Sequence, residues 1–303
     1  MRILLTGSSG FIGSVVHRSI ADQGHEVVAL KRGSGQKKEV IFWNPSDIRN
    51  VHVSDFESFD AVINLAGEPI VGRWTARKKR DIFMSRAAAT LSLTTILAGL
   101  AHPPKIFLSA SAIGYYGDRG EECLRDGDPV GIGFLPHVCL EWEKALKPLQ
   151  GMGTRTVLMR FGTVIGKNGG LLQKMMRLFR VGLGGILGSG QQWVSWIALD
   201  DLVQGILFAL SCQSLEGAVN FVAPMPIRQE QLARELGKFL HRPVWLRQPA
   251  WLLRLVLGEM ADGLLLCSTR AVPGKLTDLG FDFQYPDLQS ALRHALNNRE
   301  NHG

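Results

Sequence analysis

The chain begins Met1-Arg2-Ile3-Leu4-Leu5-Thr6-Gly7-Ser8-Ser9-Gly10-Phe11-Ile12-Gly13. A short apolar run, Ile3 to Leu5, leads straight into glycines spaced GxxGxxG, and a stripe of Ile12, Val15, Val16, Ser19 and Ile20 follows at helical spacing. Strand, glycine turn and helix in that order form the opening of a βαβ unit. The first glycine lets the chain turn, the middle one lets backbone N–H groups approach a diphosphate, and Gly13 lets helix and strand pack closely. The helix N-terminus adds partial positive charge where phosphates would lie. A plain tight turn would use the same glycines, but the position at the first strand of a βαβ pattern favours a dinucleotide. Gly7, Ser9, Gly10, Phe11, Ile12 and Gly13 are therefore expected to hold one.

Further short runs, Val27-Leu30, Ala61-Leu65, Ile106-Ser109 and Thr156-Met159, are apolar and often β-branched. Helical stretches separate several of them, one carrying a stripe of Leu91, Leu93, Thr94, Leu97 and Leu100. The alternation predicts an α/β fold, a Rossmann-type doubly wound parallel sheet with a smaller, interleaved C-terminal substrate lobe. The expected division is residues 1–165 for the dinucleotide-binding domain, with 197–222 returning to it. Residues 166–196 and 223–248 form the substrate lobe, and 249–297 a C-terminal segment.

With 303 residues, 46% of them hydrophobic, the chain can fill both cores. The formal charge of +7 is dispersed over Lys37-Lys38, Arg77 to Arg80 and Lys174/Arg177/Arg180. Dispersed charge reads as solvated faces, so no nucleic-acid partner is expected. Cys123, Cys139, Cys212 and Cys267 lie far apart without a CxxC or Cys/His cluster, which predicts no metal site and no disulfide framework. No signal-peptide pattern precedes the first strand and no apolar run reaches membrane-spanning length. The expectation is a cytoplasmic protein, monomer or homodimer, acting on a small molecule away from membranes.

An acidic residue at the end of the second strand would grip the ribose of NAD, but the chain reads Ala29-Leu30-Lys31-Arg32-Gly33. Two cations suit a 2′-phosphate. Guanidinium matches phosphate in a bidentate way, so Arg32 with Lys31 beside it points to NADP(H).

The glycine loop, Asn64-Leu65-Ala66-Gly67 and Leu108-Ser109-Ala110-Ser111-Ala112 together resemble the extended short-chain dehydrogenase/reductases. More narrowly, Gly67-Glu68-Pro69-Ile70, Arg73-Trp74, Ser85-Arg86, Gly114-Tyr115-Tyr116-Gly117-Asp118, Gly182-Leu183-Gly184-Gly185, Gly188-Ser189-Gly190 and Ser195-Trp196-Ile197 with Asp200-Asp201 resemble one atypical branch of them. That branch is the group called epimerase family proteins, often labelled NADP-dependent or nucleoside-diphosphate-sugar epimerases. Its members end in a short domain of unknown function, which Leu257-Gly258-Glu259-Met260 and Pro273-Gly274-Lys275-Leu276 through Phe281-Asp282-Phe283 resemble.

The resemblance implies cofactor contacts at Leu65, Ala66, Gly67 and Ser109, and a catalytic serine at Ser111. It also implies a YxxxK relay about 25 residues later, in which tyrosine exchanges a proton and lysine lowers its pKa. This chain has Phe134 and Val138 there, and neither can do that work. Tyr116 and Tyr115 are the candidate substitute acids, with packing under the loop as the alternative. His137 reads as a surface histidine before a proton carrier. Arg160 is placed near the nicotinamide, where it binds ligand or pairs with Glu68, and Arg86 stands where the superfamily commonly has asparagine. The expected activity is an oxidoreductase or epimerase on a carbonyl, hydroxyl or sugar-like substrate. The alternative is a catalytically weak NADP(H)-binding sensor.

Replacing Arg32 with Asp puts a carboxylate where the 2′-phosphate is expected. Calorimetric titration of Arg32→Asp should show the preference for NADPH over NADH abolished. Equal affinity of the unmodified protein for both cofactors would contradict this reading.

Overall fold

In the N-terminal strands, successive side chains serve opposite faces of one sheet, and both faces are covered. Ile3 and Leu5 pack with Val16, Ile20 and Ile206, while Leu4 packs with Val28, Val62, Leu93 and Leu97. That two-sided burial explains why the strands read as continuous apolar runs. The computed structural model describes residues 1–35, 37, 39–167 and 169–297.

The main sheet comprises β1 (Arg2–Thr6), β2 (Glu26–Arg32), β3 (Val40–Trp43), β4 (Ala61–Asn64), β5 (Ile106–Ala112), β6 (Arg155–Phe161) and β7 (Gly217–Phe221). All neighbours run parallel, in the order β7-β6-β5-β4-β1-β2-β3. The order reverses between β1 and β4, and a doubly wound sheet opens its ligand crevice at that point, outside the carboxyl ends of the strands. β3 was absent from the sequence reading. It is an edge strand of four residues, of which only Trp43 is buried, so its apolar signal is short.

Helix α1 (Phe11–Asp22) covers one face, α2 (Ala76–Phe83) leads into α3 (Ala89–Ala98) on the other, and α4 (Phe134–Lys144) follows β5. In α3 the buried set is Thr90, Leu93, Thr94, Ile96 and Leu97. Leu91, expected in the stripe, lies one position out of phase and is exposed.

Beyond β6 the chain leaves the sheet for α5 (Gly170–Arg180), returns with α6 (Leu199–Ser211) beside α1 and with β7, then leaves again for α7 (Gln229–Phe239). Leu172, Met176 and Phe179 of α5 share a core with Trp196, Leu232 and Leu236. Met175 and Met176 of α5 serve ordinary packing in this core. The last segment contains α8 (Ala250–Leu257), α9 (Gly274–Asp278) and α10 (Leu288–Asn297). Leu276 of α9 joins the main-sheet core, and Leu288 and Leu292 of α10 join the α5/α7 core.

The first turn of α1 depends on a missing side chain. A Cβ on Gly13 would stand 2.1 Å from the carbonyl oxygen of Gly7. Alanine in a helix gains about 1 kcal/mol over glycine in propensity, but a backbone clash of this depth costs about 1–3 kcal/mol or more. Gly13→Ala should therefore unfold at lower urea than the parent, and an equal or higher midpoint would show that the loop can relax.

Candidate functional site

The turn after β1 is shaped by backbone approaching backbone. Gly7 has φ +72°, and a Cβ there would also come within 2.9 Å of the Leu65 carbonyl carbon. The Gly10 N–H donates to Gly7 O at 2.9 Å and closes the turn. Gly10 then caps α1 without a side-chain hydrogen bond, which leaves the first-turn N–H groups free for a ligand. The Phe11 ring fills the space beside Gly166, Gly169 and Gly170, which leaves only its backbone toward the turn.

A cavity of about 630 Å³ opens at this turn, large enough for a nucleotide-sized ligand. Gly7 to Gly10 form one side, Leu30, Lys31 and Arg32 the next, and Leu65 to Glu68 the third. Trp43, Pro45 and Ser46 extend it past β3, and Ser85, Ala88 and Ala89 close it. Lys31 is half-buried and Arg32 exposed, so the two cations border the cavity from the sheet edge. Trp43, Ser46 and Ser85 escaped the sequence reading because they reach the cavity from elements whose neighbours are set only by the strand order.

Thr6 pins the two loops together. Its Oγ1 accepts from the N–H groups of Leu65 and Ala66, both at 3.0 Å, and donates to Asn64 Oδ1 at 2.7 Å. Asn64 Nδ2 donates to Thr90 Oγ1 at 2.9 Å, and Trp142 Nε1 donates to the same oxygen at 3.0 Å. Ser109, expected to touch the cofactor, instead lies fully buried beneath this clamp, 3.4 Å from Asn64 Nδ2. Its position on β5 opposite Asn64 puts it under the loop.

At the ends of β5 and β6 a second polar cluster is closed to solvent. Ser111 donates from Oγ to Glu143 Oε1 at 2.7 Å. Arg160, opposite Ser111 in the sheet, donates from Nε and Nη2 to both Glu143 oxygens at 2.8 Å each. Its Nη1 donates to Tyr116 Oη at 2.9 Å and Asp126 O at 3.1 Å, and its guanidinium lies 3.6 Å from the centre of the Tyr115 ring. Tyr116 Oη in turn reaches Asn220 Oδ1 at 2.7 Å and Arg125 O at 2.9 Å.

Three expectations change accordingly. Arg160 is 3% exposed and its guanidinium is committed to Glu143, Tyr116 and Asp126, so it is an internal brace rather than a cofactor ligand. Its partner is not Glu68, which pairs with Lys78 at 2.8 Å. That contact first, with Arg32 and Arg86 adding to it, holds the Glu68 carboxyl below its ordinary range. Tyr116 is fully buried, and burial pushes its phenol above the ordinary value, so it cannot exchange protons with a substrate in the cleft. Tyr115 is half-buried with its ring face occupied by Arg160.

Phe134 and Val138 share an apolar cluster with Trp74, Ile82, Leu135 and Met260, and the Phe134 and Trp74 rings meet edge-on at 5.1 Å. His137 is exposed and stacks on Phe83. Among the described residues no group of His, Cys, Asp and Glu has the arrangement to hold a metal, and no helix is long and apolar enough to cross a membrane.

Residues 3–220 match the NAD dependent epimerase/dehydratase family, and residues 248–295 match a domain of unknown function. The chain belongs to the NAD dependent epimerase/dehydratase family. Among its relatives, an epimerase family protein of Mycobacterium leprae is 36% identical, with 97% of this chain and 95% of that one covered. The Bacillus subtilis epimerase family protein YfhF is 34% identical over 99% of both chains. The crystal structure of human epimerase family protein SDR39U1 with NADPH is 30% identical, has a TM-score of 0.90 and covers 98% of this chain and 100% of that one. A Corynebacterium glutamicum nucleoside-diphosphate sugar epimerase is 31% identical with a TM-score of 0.81, and this family member spans 58% of it.

In this epimerase family protein the Arg160–Glu143 pair is almost completely desolvated, with side chains 4% and 9% exposed. Removing one partner strands the other charge, at a cost of about 3–5 kcal/mol, whereas replacing both with apolar residues is far milder. Urea denaturation of Glu143→Leu, Arg160→Met and the double variant should therefore be strongly non-additive, with the double variant more stable than Glu143→Leu. Additive losses would contradict the pairing.

Proposed function

We propose that this protein binds NADP(H) in the cavity at the end of β1 and serves as an oxidoreductase or epimerase of a small carbonyl, hydroxyl or sugar-like substrate. The observation that carries the proposal is the side-chain-free turn of Gly7 and Gly10, allowed by Gly13 packing on Gly7, in one cavity with Lys31 and Arg32. The NADPH-bound human relative, similar over the whole chain, supports it.

The residues present fit the cofactor. The first-turn N–H groups of α1 suit the diphosphate, Arg32 and Lys31 suit the 2′-phosphate, and Leu65-Ala66-Gly67 offers backbone to the nicotinamide half. When bound, NADPH supplies a hydride. This chain's residues orient the cofactor through the α1 N–H groups, Lys31 and Arg32, and leave Ser111 bonded to Glu143 at the carboxyl end of β5. In the proposal Ser111, 2% exposed and bonded to Glu143, positions the site from beneath, and the half-buried Tyr115 is the candidate catalytic residue.

The apolar packing of Phe134 and Val138, where a relay would stand, favours a second reading, an NADP(H)-bound sensor without appreciable turnover. A panel of aldehydes, ketones and nucleotide sugars, followed by NADPH absorbance, separates the two. Turnover lost in Tyr115→Phe supports the enzyme. Tight NADPH binding with no turnover across the panel supports the sensor, and absence of NADPH binding overturns both.

A further inference from the structure

Several cations near the cleft are paired, but Lys31, Arg32 and Arg86 have no salt bridge among the described residues. Arg160 is held by Glu143, Lys78 by Glu68 and Lys79 by Glu259. Arg86 has no carboxylate partner among the described residues. Its one hydrogen bond there runs from Nη1 to Ile82 O at 3.4 Å, a long contact that leaves Nε and Nη2 without an acceptor.

The local backbone accounts for its position. Between α2 and α3 the helix makes one π-helical turn, Met84–Ala88, a form that recurs at functional sites. Ser85 faces the dinucleotide cavity from this turn, whereas the Arg86 side chain is directed onto Gly67 and Trp142. The guanidinium carbon lies 5.2 Å from the centre of the Trp142 ring. A Cβ on Gly67 would stand 3.0 Å from that carbon and 3.1 Å from Nη2, so the missing side chain of Gly67 is what lets the cation lie there.

Arg86 is half-buried, and its guanidinium donors without an acceptor are open to an incoming oxygen ligand. Burial lowers the Arg86 pKa from its ordinary value, and the nearby Glu68 carboxylate is already bonded to Lys78. Arg86 also meets α4 at Trp142, one turn beyond Val138, the position where a relay lysine is missing. The next residue on α4 is Glu143, the partner of Ser111. A permanent positive charge thus reaches the same neighbourhood from another helix.

We propose that Arg86 binds an oxyanion of the substrate, a carboxylate in the first instance, beside Gly67 and the α4 wall. This names a substrate class and rests on the oxidoreductase reading above. The guanidinium holds and orients the anion and, being permanently charged, does not exchange protons.

The test titrates oxalate by calorimetry into the full chain, with and without saturating NADPH, for the parent, Arg86→Met and Arg86→Lys. Oxalate should bind the parent. Arg86→Met should lose about tenfold or more in oxalate affinity, as expected for a hydrogen-bonded charged contact, while NADPH affinity stays within about threefold. Arg86→Lys should show a smaller loss in the same direction, and it decides the matter if Arg86→Met does not fold. Absence of oxalate binding by the parent, or equal oxalate affinity in the variants, overturns the proposal. So does a loss confined to NADPH, which would assign Arg86 to a cofactor phosphate. If the parent fails to bind NADPH, the oxidoreductase reading falls, and the oxalate arm without nucleotide still decides whether Arg86 is an anion site.

Discussion

The contact of Gly13 with the carbonyl of Gly7 sets the angle at which α1 leaves β1, and the site follows from that angle. With no Cβ in the way, the helix starts directly over the strand end and its uncapped N–H groups face the crevice. Thr6 then ties the same turn to the loop after β4, so the two sides of the crevice are held by one buried hydroxyl. The reversal of strand order between β1 and β4 makes this the one place in the sheet where adjacent loops diverge and leave room for a ligand.

The carboxyl edge of the sheet divides into two environments. Near β1 and β2 it is open and basic, with backbone donors and the Lys31-Arg32 pair. Near β5 and β6 it is closed, with Ser111, Glu143, Arg160, Tyr116 and Asn220 satisfying one another. A buried charge pair that is fully hydrogen-bonded is a rigid element. It also takes Arg160 and Tyr116 out of any chemistry, which leaves Arg86 as a third cation, beside Lys31 and Arg32, without a carboxylate partner at the cleft among the described residues.

Features set by local spacing were legible in the sequence. The GxxGxxG turn, the helix after it, the parallel α/β order and the cations ending β2 all depend on residues within a few positions of one another. Features set across the sheet were not. The pairing of Arg160 with Glu143 depends on the register that puts Ser111 opposite Arg160 and on the face that α4 presents to them. Which of Tyr115 and Tyr116 would be buried depended in the same way on where Asn220 of β7 lies. The motif around Ser109 marks its place on the strand and not its depth below the Thr6–Asn64 clamp.

A crystal structure of the protein grown with NADPH tests the central claim most directly. The account predicts the diphosphate against the N–H groups at the start of α1, with the 2′-phosphate on Arg32 and the adenine toward Trp43 and Ser46. A nucleotide bound elsewhere, or bound here with its 2′-phosphate turned away from Lys31 and Arg32, would contradict it.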